Sequence, residues 1–366
     1  MKRSFDAIVV GGGVVGLACA AALSRRKKVL LIERHDKNAM ENSARNSGVV
    51  HAGLHHPSDW LRTTLCLRGR ELLYRRARLE SLPHAITGKL IVGGIADEAA
   101  LEMLAARAAE RGIEARLLDR AEIAEREPLV RSERALWVGP TGIVRTASLV
   151  RSLEHECDAR AVVSLRGAEV VAIEPSAGEL RVDIEGSHFV APRVALAGGV
   201  SADRLAALAG LDPDALGLRQ HFVSGTWMAL DVRHRKAVSH LIYPLPEPDG
   251  LGIHLTRDVE GFLLAGPDAE WIDAPRFDLE HAEEKEARFA EALGRYLSLP
   301  IPPSELHPLM VGVRPRLSAR GEPARDFAIL DERSHGVPGL VAMAGIESPG
   351  LTACLAIAEH VEARLR

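Results

Sequence analysis

A chain of 366 residues exceeds the roughly 150 typical of one domain, which leaves room for two packed domains and excludes a peptide-like scaffold. It is 47% hydrophobic and 26% charged, with 32 Gly and 20 Pro, the profile of a folded globular protein rather than a disordered or fibrous one. With 46 basic against 50 acidic residues and a net charge of -4, no chain-wide basic field exists to hold a nucleic-acid backbone.

The four cysteines, Cys19, Cys66, Cys157 and Cys354, lie far apart and form no disulfide framework, which fits a reducing compartment. Lys2 and Arg3 before the apolar run that starts at Ala7 superficially match a secretory signal ending in Ala20-Ala21-Ala22. Three glycines, Gly11 to Gly13, would break such a signal helix at its centre, whereas a strand, a turn and a helix use each of them. No stretch reaches the roughly 18 to 20 uninterrupted apolar residues of a membrane span. A soluble cytoplasmic protein is expected, with attachment to a membrane surface left open.

Phe5 to Val10 reads as a strand, Val15 to Arg26 as a helix, and Val29 to Ile32 as a second buried strand ending at Glu33. Strand, crossover helix and strand within about 30 residues is the parallel βαβ unit. Asp59 to Leu79 and Glu98 to Arg111 read as amphipathic helices around a strand at Lys89 to Val92. Gly112 is placed to end the second helix, and Thr146 to cap another that runs to about Cys157.

From Ala161 the pattern turns β-like, with strands at Glu169 to Ile173, Leu180 to Ile184 and Arg193 to Ala197, and a helix at Asp203 to Leu211. Strands follow at Phe222 to Leu230, Leu241 to Pro244, Gly252 to Thr256 and Gly261 to Ala265, with an Asp249-Gly250 turn favouring antiparallel pairing. Leu279 to Leu297 reads as a charged helix, Met310 to Arg314 and Gly339 to Ala344 as strands, and the last helix begins at Leu351. No internal repeat is present.

This order points to an α/β fold of two interleaved parts. Residues 1–83, 141–214 and 316–366 would form a nucleotide-binding domain, and 84–140 with 215–315 an antiparallel-sheet α+β domain covering it. A ligand cleft is expected between the two.

Gly11-x-Gly13-x-x-Gly16 falls between a strand and a helix. The first glycine permits the tight turn, the second the close approach of a pyrophosphate, and the third close helix packing. The helix start, Val14 and Val15, turns free N–H groups toward phosphate. Glu33, 17 residues after Gly16, stands where a carboxylate accepts hydrogen bonds from a ribose. The motif alone does not separate NAD from FAD. Three later features favour flavin: the polar segment Arg45-Asn46-Ser47-Gly48, the strand closing on Gly198-Gly199, and a second helix start at Ser348-Pro349-Gly350-Leu351-Thr352 that would stabilise negative charge on a reduced flavin.

Several segments then carry a resemblance. Asn46 to Gly53 (NSGVVHAG), Gly88 to Val92 (GKLIV), Ile242-Tyr243-Pro244, Gly252 to Thr256 and Gly266-Pro267 resemble the L-2-hydroxyglutarate dehydrogenase/oxidase branch of the FAD-dependent D-amino-acid-oxidase-like (DAO) superfamily. The resemblance spans nearly the whole chain. It implies a glutathione-reductase-like Rossmann domain, non-covalent FAD and oxidation of a small 2-hydroxy acid to the 2-oxo acid. The residues expected to hold FAD are Gly11, Gly13, Val14, Val15 and Gly16, with Glu33 and Arg34. Arg45, Asn46, Ser47 and Gly48 join them, then Val170, Val171, Ala197 and Gly198, and finally Gly350, Leu351 and Thr352.

Moving a hydride from a carbinol carbon to flavin N5 needs a base for the hydroxyl proton, and a neutral imidazole suits that task. His51, beside the expected flavin segment, is the first candidate and His254 the second. His55, His56 and His221 carry less support. Substrate carboxylates call for cations, each charge-assisted bond contributing about 1.5–3 kcal/mol. Lys89, in an otherwise apolar strand, and Arg314, in a segment like the family's flavin-proximal arginine, are the choices, with Arg257 weaker; Tyr243 is a further substrate contact.

Two departures bear on the substrate. Ser224-Gly225-Thr226-Trp227 lacks the basic residue and tyrosine usual in the family, and His55-His56 replaces a common pair of tyrosines. A smaller or differently charged hydroxy acid would suit that loss. Rival readings are an amine or amino-acid oxidase on the same scaffold and a non-catalytic flavin-binding protein. No short His/Cys/Asp cluster has metal-site spacing. The electron acceptor, whether oxygen, a quinone or a protein, is left open.

Overall fold

The computed structural model describes residues 4–176, 178–246 and 252–366. Its first sheet orders six strands as Ala328–Leu330, Leu340–Ala344, Val194–Leu196, Ala7–Val10, Val29–Glu33 and Val163–Arg166, with only the first antiparallel to its neighbour. Side-chain alternation explains how both faces are covered. Ala7 and Val9 pack on the helices Val14–Leu23 and Gly350–Arg364, while Ile8 and Val10 pack toward the antiparallel strands Val170–Ser176, Glu179–Ile184 and Ser187–Ala191. Continuous burial from Ala7 to Val10 and from Val29 to Glu33 is what a parallel sheet covered on both faces requires.

The second sheet has nine strands among the described residues, and it is mixed rather than purely antiparallel. Leu241–Pro244 runs parallel to Lys89–Gly93, pairing Leu241 with Lys89 and Tyr243 with Ile91, because the two segments meet across the sheet without a hairpin between them. The long strands His221–Leu230 and Leu306–Arg316 pair antiparallel along their length. A small sheet of Val49–Val50, Gly142–Val144 and His84–Ala85 lies apart from both.

Other expectations need correction. The charged helix shrinks to Glu286–Gly294 after a short 3-10 turn, because His281 adopts φ 59° and turns the chain out of helical geometry. Arg145, not Thr146, precedes the helix Thr146–Ala159, and the Thr146 hydroxyl instead donates to Asn46 Oδ1 at 3.0 Å. Gly112 does end the helix Glu98–Glu110, at φ 61°. The Asp249-Gly250 turn lies outside the described residues, although Ile242 and Leu255 on its flanking strands pair antiparallel. No helix of the described residues is long and apolar enough to cross a membrane.

Candidate functional site

The glycine turn sits at the carboxyl ends of the adjacent central strands Ala7–Val10 and Val194–Leu196, where ligands of open parallel sheets bind. Gly11 has φ 109°, and a Cβ there would lie 2.3 Å from the Ala197 carbonyl oxygen. A Cβ on Gly16 would lie 1.8 Å from the Gly11 oxygen, so only glycine lets the helix approach this closely. Glu33, buried, accepts the Gly12 amide at 2.6 Å and the His35 amide at 2.8 Å. Its carboxylate thus braces the turn and keeps acceptor capacity beyond those two bonds. Ser43 Oγ accepts the Val14 amide at 2.9 Å.

Two adjoining cavities share Gly13, Asn42, Ser43, Ala197 and Gly199 in their walls. The smaller, about 110 Å3, is bounded by Gly11, Glu33, Arg34, Val170 and Gly198. The larger, about 670 Å3, runs past Val14, Val15 and the segment Arg45 to Ser47 and reaches His51, Tyr243, His254 and Arg314. Gly350 and Leu351 at the start of the last helix close it. An elongated cleft with a positive-φ glycine cradle, a buried carboxylate at one end and two helix starts along it fits a dinucleotide such as FAD.

Some expected residues serve differently. Gly16 and Gly48 lie behind the cavity wall as backbone devices, Gly48 at φ 68° with a Cβ position 2.3 Å from the Val144 oxygen. Val171 is 48% exposed, on the outer side of its strand. Asn46 spends its amide inside its own loop, donating to the Asn42 and Ser43 carbonyls and accepting from the Gly48 amide. The Arg45 guanidinium donates to the Met40 carbonyl and stacks 4.9 Å over the Phe277 ring, and that of Arg34 pairs with Glu41. Thr352 is buried; its hydroxyl accepts the His51 amide at 3.0 Å and donates to the Val49 carbonyl.

Both leading histidines line the larger cavity. Burial, and then the charges of Lys89 and His254, push His51 down to about 3, so its ring is neutral; Nε2 lies 3.2 Å from Ser348 Oγ. Burial likewise pushes His254 down to about 3. His254 Nδ1 lies 2.9 Å from the Gly252 carbonyl oxygen, which selects the Nδ1–H tautomer and leaves Nε2 with a lone pair. The ring stacks on Tyr243 at 3.8 Å between centroids and meets Trp227 edge-on at 5.4 Å, so its orientation is held from two sides.

The cations are equally distinctive. Lys89 is 1% exposed, and burial pushes its ammonium down to about 7. Its Nζ lies 2.8 Å from His55 Nε2 and 4.8 Å from the Tyr243 ring centroid. Arg314 donates to the main-chain carbonyls of Ser224 and Asp268 at 3.2–3.3 Å, and burial holds its pKa below the ordinary guanidinium value. Neither cation forms an ion pair with a carboxylate among the described residues. Arg257 donates instead to the Ser239 carbonyl, and His221 lies outside the cavity wall.

Sequence reasoning missed the bracing of the histidine loop. Arg111 donates to the carbonyls of Gly53, Leu54 and His56 at 2.6–3.0 Å, and Arg107 to that of His55 at 3.3 Å. It also missed Asn42, which bonds Val313 twice across 271 residues. Nothing in the local pattern distinguishes these side chains from solvated helix or loop residues. Among the described residues no cluster could hold a metal ion.

The chain is similar to known proteins in sequence and in structure. Residues 6–364 match the family model described as FAD dependent oxidoreductase. The chain is 33% identical over 403 residues to the mitochondrial L-2-hydroxyglutarate dehydrogenase of Arabidopsis thaliana, covering 98% of this chain and 83% of that protein. It is 30% identical to the L-2-hydroxyglutarate dehydrogenase of Salmonella houtenae over 72% of this chain, and the match spans 64% of that relative's length. By structure it is similar to the FAD-bound L-alpha-glycerophosphate oxidase of Mycoplasma pneumoniae, with TM-score 0.87 and 24% identity over 100% of this chain and 95% of that one. The glycine oxidase of Geobacillus kaustophilus follows with TM-score 0.80 and 19% identity, again over 100% and 95%. At those identities the two structures speak for the fold.

Proposed function

Because the chain belongs to the family of FAD-dependent oxidoreductases, we propose that its cleft oxidises a small 2-hydroxy acid of the L-2-hydroxyglutarate type to the 2-oxo acid. The observation that carries this reading is one end of the larger cavity. Two neutral imidazoles, His51 and His254, stand there with Arg314, and Lys89 lies directly behind His55 and Tyr243. Both cations lack a carboxylate of their own among the described residues. The relatives named for L-2-hydroxyglutarate support the same substrate class.

FAD, when bound, supplies the acceptor for the hydride. The glycine turn and Glu33 would hold its ADP half, and the segment from Ser43 to Ser47 with Gly350 and Leu351 its flavin half. The chain's own work is to bind and deprotonate the alcohol. Arg314, in the cavity wall, orients a carboxylate and places the carbinol beside the imidazoles, while Lys89 stands outside the wall, behind His55 and Tyr243. His254 Nε2 takes the hydroxyl proton, since Nδ1 is committed to Gly252 and the ring is neutral over the physiological range. This reverses the order of the two histidines expected from sequence. His51, tied through its amide to Thr352 and through its ring to Ser348, orients the hydroxyl. Apolar walls from Trp227 and Tyr243 exclude water from the reacting centre.

The same reading assigns 1–83, 141–214 and 316–366 to cofactor binding and 84–140 with 215–315 to substrate binding. All six strands of the parallel-rich sheet fall in the first set, and the strands of the nine-stranded sheet fall in the second but for the last residue of Leu306–Arg316.

Anaerobic mixing of FAD-loaded protein with L-2-hydroxyglutarate, other hydroxy acids and amino acids tests the reading. Loss of the oxidised-flavin absorbance with hydroxy acids is expected. Loss with glycine or proline alone would transfer the chain to the amine oxidases, and loss with none would leave a binding protein.

A further inference from the structure

The sheet beside Arg314 is interrupted by a bulge. Ser224 pairs with Glu270 and Met228 with Ala265, so the stretch from Ala265 to Glu270 is one residue longer than the strand it lies against. Continuing the Ser224–Glu270 register would set Asp268 opposite Thr226, and half of that pairing is present: the Asp268 amide donates to the Thr226 carbonyl at 3.3 Å. The other half is not. The Thr226 amide donates to Asp268 Oδ1, at 2.7 Å, instead of to the main-chain oxygen a regular ladder would use. The carboxylate is buried, and its Oδ2 stands 3.1 Å from Lys285 Nζ as an ion pair outside hydrogen-bond geometry. Lys285 donates in addition to Thr226 Oγ1 at 3.0 Å and to Glu270 Oε2 at 2.8 Å. Arg288 Nη1 lies 3.7 Å from Oδ2.

The main-chain oxygen released in this way goes to Arg314. It accepts from both terminal nitrogens, Nη1 and Nη2, each at 3.2 Å, and the Ser224 carbonyl accepts from Nη1 at 3.3 Å. The guanidinium therefore commits its end-on edge to the main chain. Nε–H and the second Nη2–H have no partner among the described residues, and Arg314 stands in the cavity wall. Those two parallel donors form the edge that matches a carboxylate. Gly225 lets the strand close on the same group: a Cβ there would lie 3.2 Å from Nη1 and from Nη2, and 2.9 Å from the Pro267 Cβ.

We propose that Asp268 is a positioning residue: by taking the Thr226 amide on its side chain it turns its main-chain oxygen to Arg314, and so sets the side-on edge of the guanidinium toward the substrate's carboxylate. Lys285, outside the cavity wall, holds the Asp268 carboxylate in that place. Without the side chain the Thr226 amide reclaims the main-chain oxygen, as in a regular ladder, and the fork of Arg314 loses the acceptor that orders it. Each binding event must then order the guanidinium anew, which weakens the acid. The chemical step is spared, because the hydrogen bonds of His51 and His254 run to Thr352, Ser348 and Gly252, not to Asp268. The inference rests on the proposed reading, in which Arg314 receives a carboxylate, and adds to it the residues that aim the guanidinium.

The test uses FAD-loaded protein and butyrate, a carboxylate with no hydroxyl to oxidise, whose binding is read from the change in flavin absorbance. Asp268→Ala is expected to raise the butyrate Kd and the KM for a 2-hydroxy acid together, about tenfold, with kcat and FAD affinity near those of the parent. A purely structural role would lower the melting temperature without that split between KM and kcat. Asp268→Asn, which keeps Oδ1 for the Thr226 amide, recovers most of the loss. Lys285→Met raises both constants several-fold, and Lys285→Arg restores them. In an Arg314→Lys background, which keeps a cation but no fork, Lys285→Met adds little. An unchanged butyrate Kd in Asp268→Ala overturns the proposal, and where that variant does not fold the same result in Lys285→Met does so. Full additivity in the Arg314→Lys background overturns it as well, as does a parent protein that binds no butyrate. Failure of every hydroxy acid to reduce the flavin would instead overturn the reaction itself and leave the butyrate measurement standing.

Discussion

Asn42 holds Val313 as a neighbouring strand would. Its side-chain amide donates to the Val313 carbonyl at 2.5 Å and accepts the Val313 amide at 2.8 Å. Those two bonds fasten the loop that walls the cofactor cleft to the strand that carries Arg314, and Gly312 leaves room for the Arg45 carbonyl, 2.8 Å from where a Cβ would stand. One side chain thus ties that loop to the strand, which is also held by its pairing with His221–Leu230.

Removing that amide leaves a strand N–H and a carbonyl without their partner. Asn42→Ala is expected to destabilise the protein by about 1–3 kcal/mol. It should raise KM for the acid several-fold while FAD content stays near stoichiometric. Thermal melts and steady-state kinetics on the loaded protein check both. An unchanged KM would show that Arg314 keeps its place without the clamp.

Glu33 makes a sharper case for the cofactor. Gln at this position keeps one oxygen for the Gly12 amide, but its NH2 faces the His35 amide that now donates to the other oxygen. Charge-assisted acceptance is lost at the same time. Glu33→Gln is expected to weaken FAD about tenfold to a hundredfold, read by quenching of flavin fluorescence on titrating apoprotein.

The two histidines separate by rate. His254→Gln is expected to lower kcat by roughly a hundred- to ten-thousand-fold with FAD retained, the range associated with loss of a general base. His51→Gln should lower it less and raise KM, because the Ser348 contact orients the ring rather than freeing it. Stopped-flow measurement of flavin reduction isolates the chemical step. Equal losses in both variants would show that the pair acts as one unit.

Much of the cofactor half is legible in the order of the residues. The glycine fingerprint is local steric chemistry: Gly11, Gly13 and Gly16 succeed or fail by atoms within a few residues and one adjoining strand, so their spacing carries the βαβ unit with it. Lys89 is readable because an ammonium in an apolar strand needs an explanation. Its partner is not, since His55 meets it by the path of a loop that two arginines, one in the last turn of the helix Glu98–Glu110 and one just after it, hold down. The parallel pairing of Lys89–Gly93 with Leu241–Pro244 is hidden for a related reason: β-periodicity reveals a strand but not its neighbour. Thr352 matches a cofactor-binding segment, yet its hydroxyl faces the His51 backbone, a choice made by packing.

Acid should reveal the buried imidazoles. His254 titrates near 6.5 when unfolded and at about 3 when folded, so between those values the unfolded chain binds more protons and stability rises with pH. That contribution is complete above about 6.5 and is lost as pH falls toward the folded value. Denaturant midpoints measured through this window should drop on acidification, and His254→Gln should flatten the slope. A variant with the same slope as the parent would place the acid sensitivity in other groups.

Gly16 and Gly13 test whether the fingerprint serves the fold or the cofactor. A methyl on Gly16 would stand 1.8 Å from the Gly11 oxygen and 3.4 Å from the Ala197 Cβ, so helix and strand must part to admit it. A methyl on Gly13 meets only Ser43 Oγ, at 3.2 Å, on the side that opens to the cleft. Gly16→Ala is expected to cost about 2 kcal/mol or more in the absence of FAD, by the overpacking that such a contact forces. Gly13→Ala should leave the apoprotein's melting temperature nearly unchanged and remove most of the rise that added FAD produces, because the methyl stands where the pyrophosphate must approach. Melting curves with and without FAD distinguish the two, and a Gly13→Ala protein that gains as much from FAD as its parent would place the pyrophosphate elsewhere along the cleft.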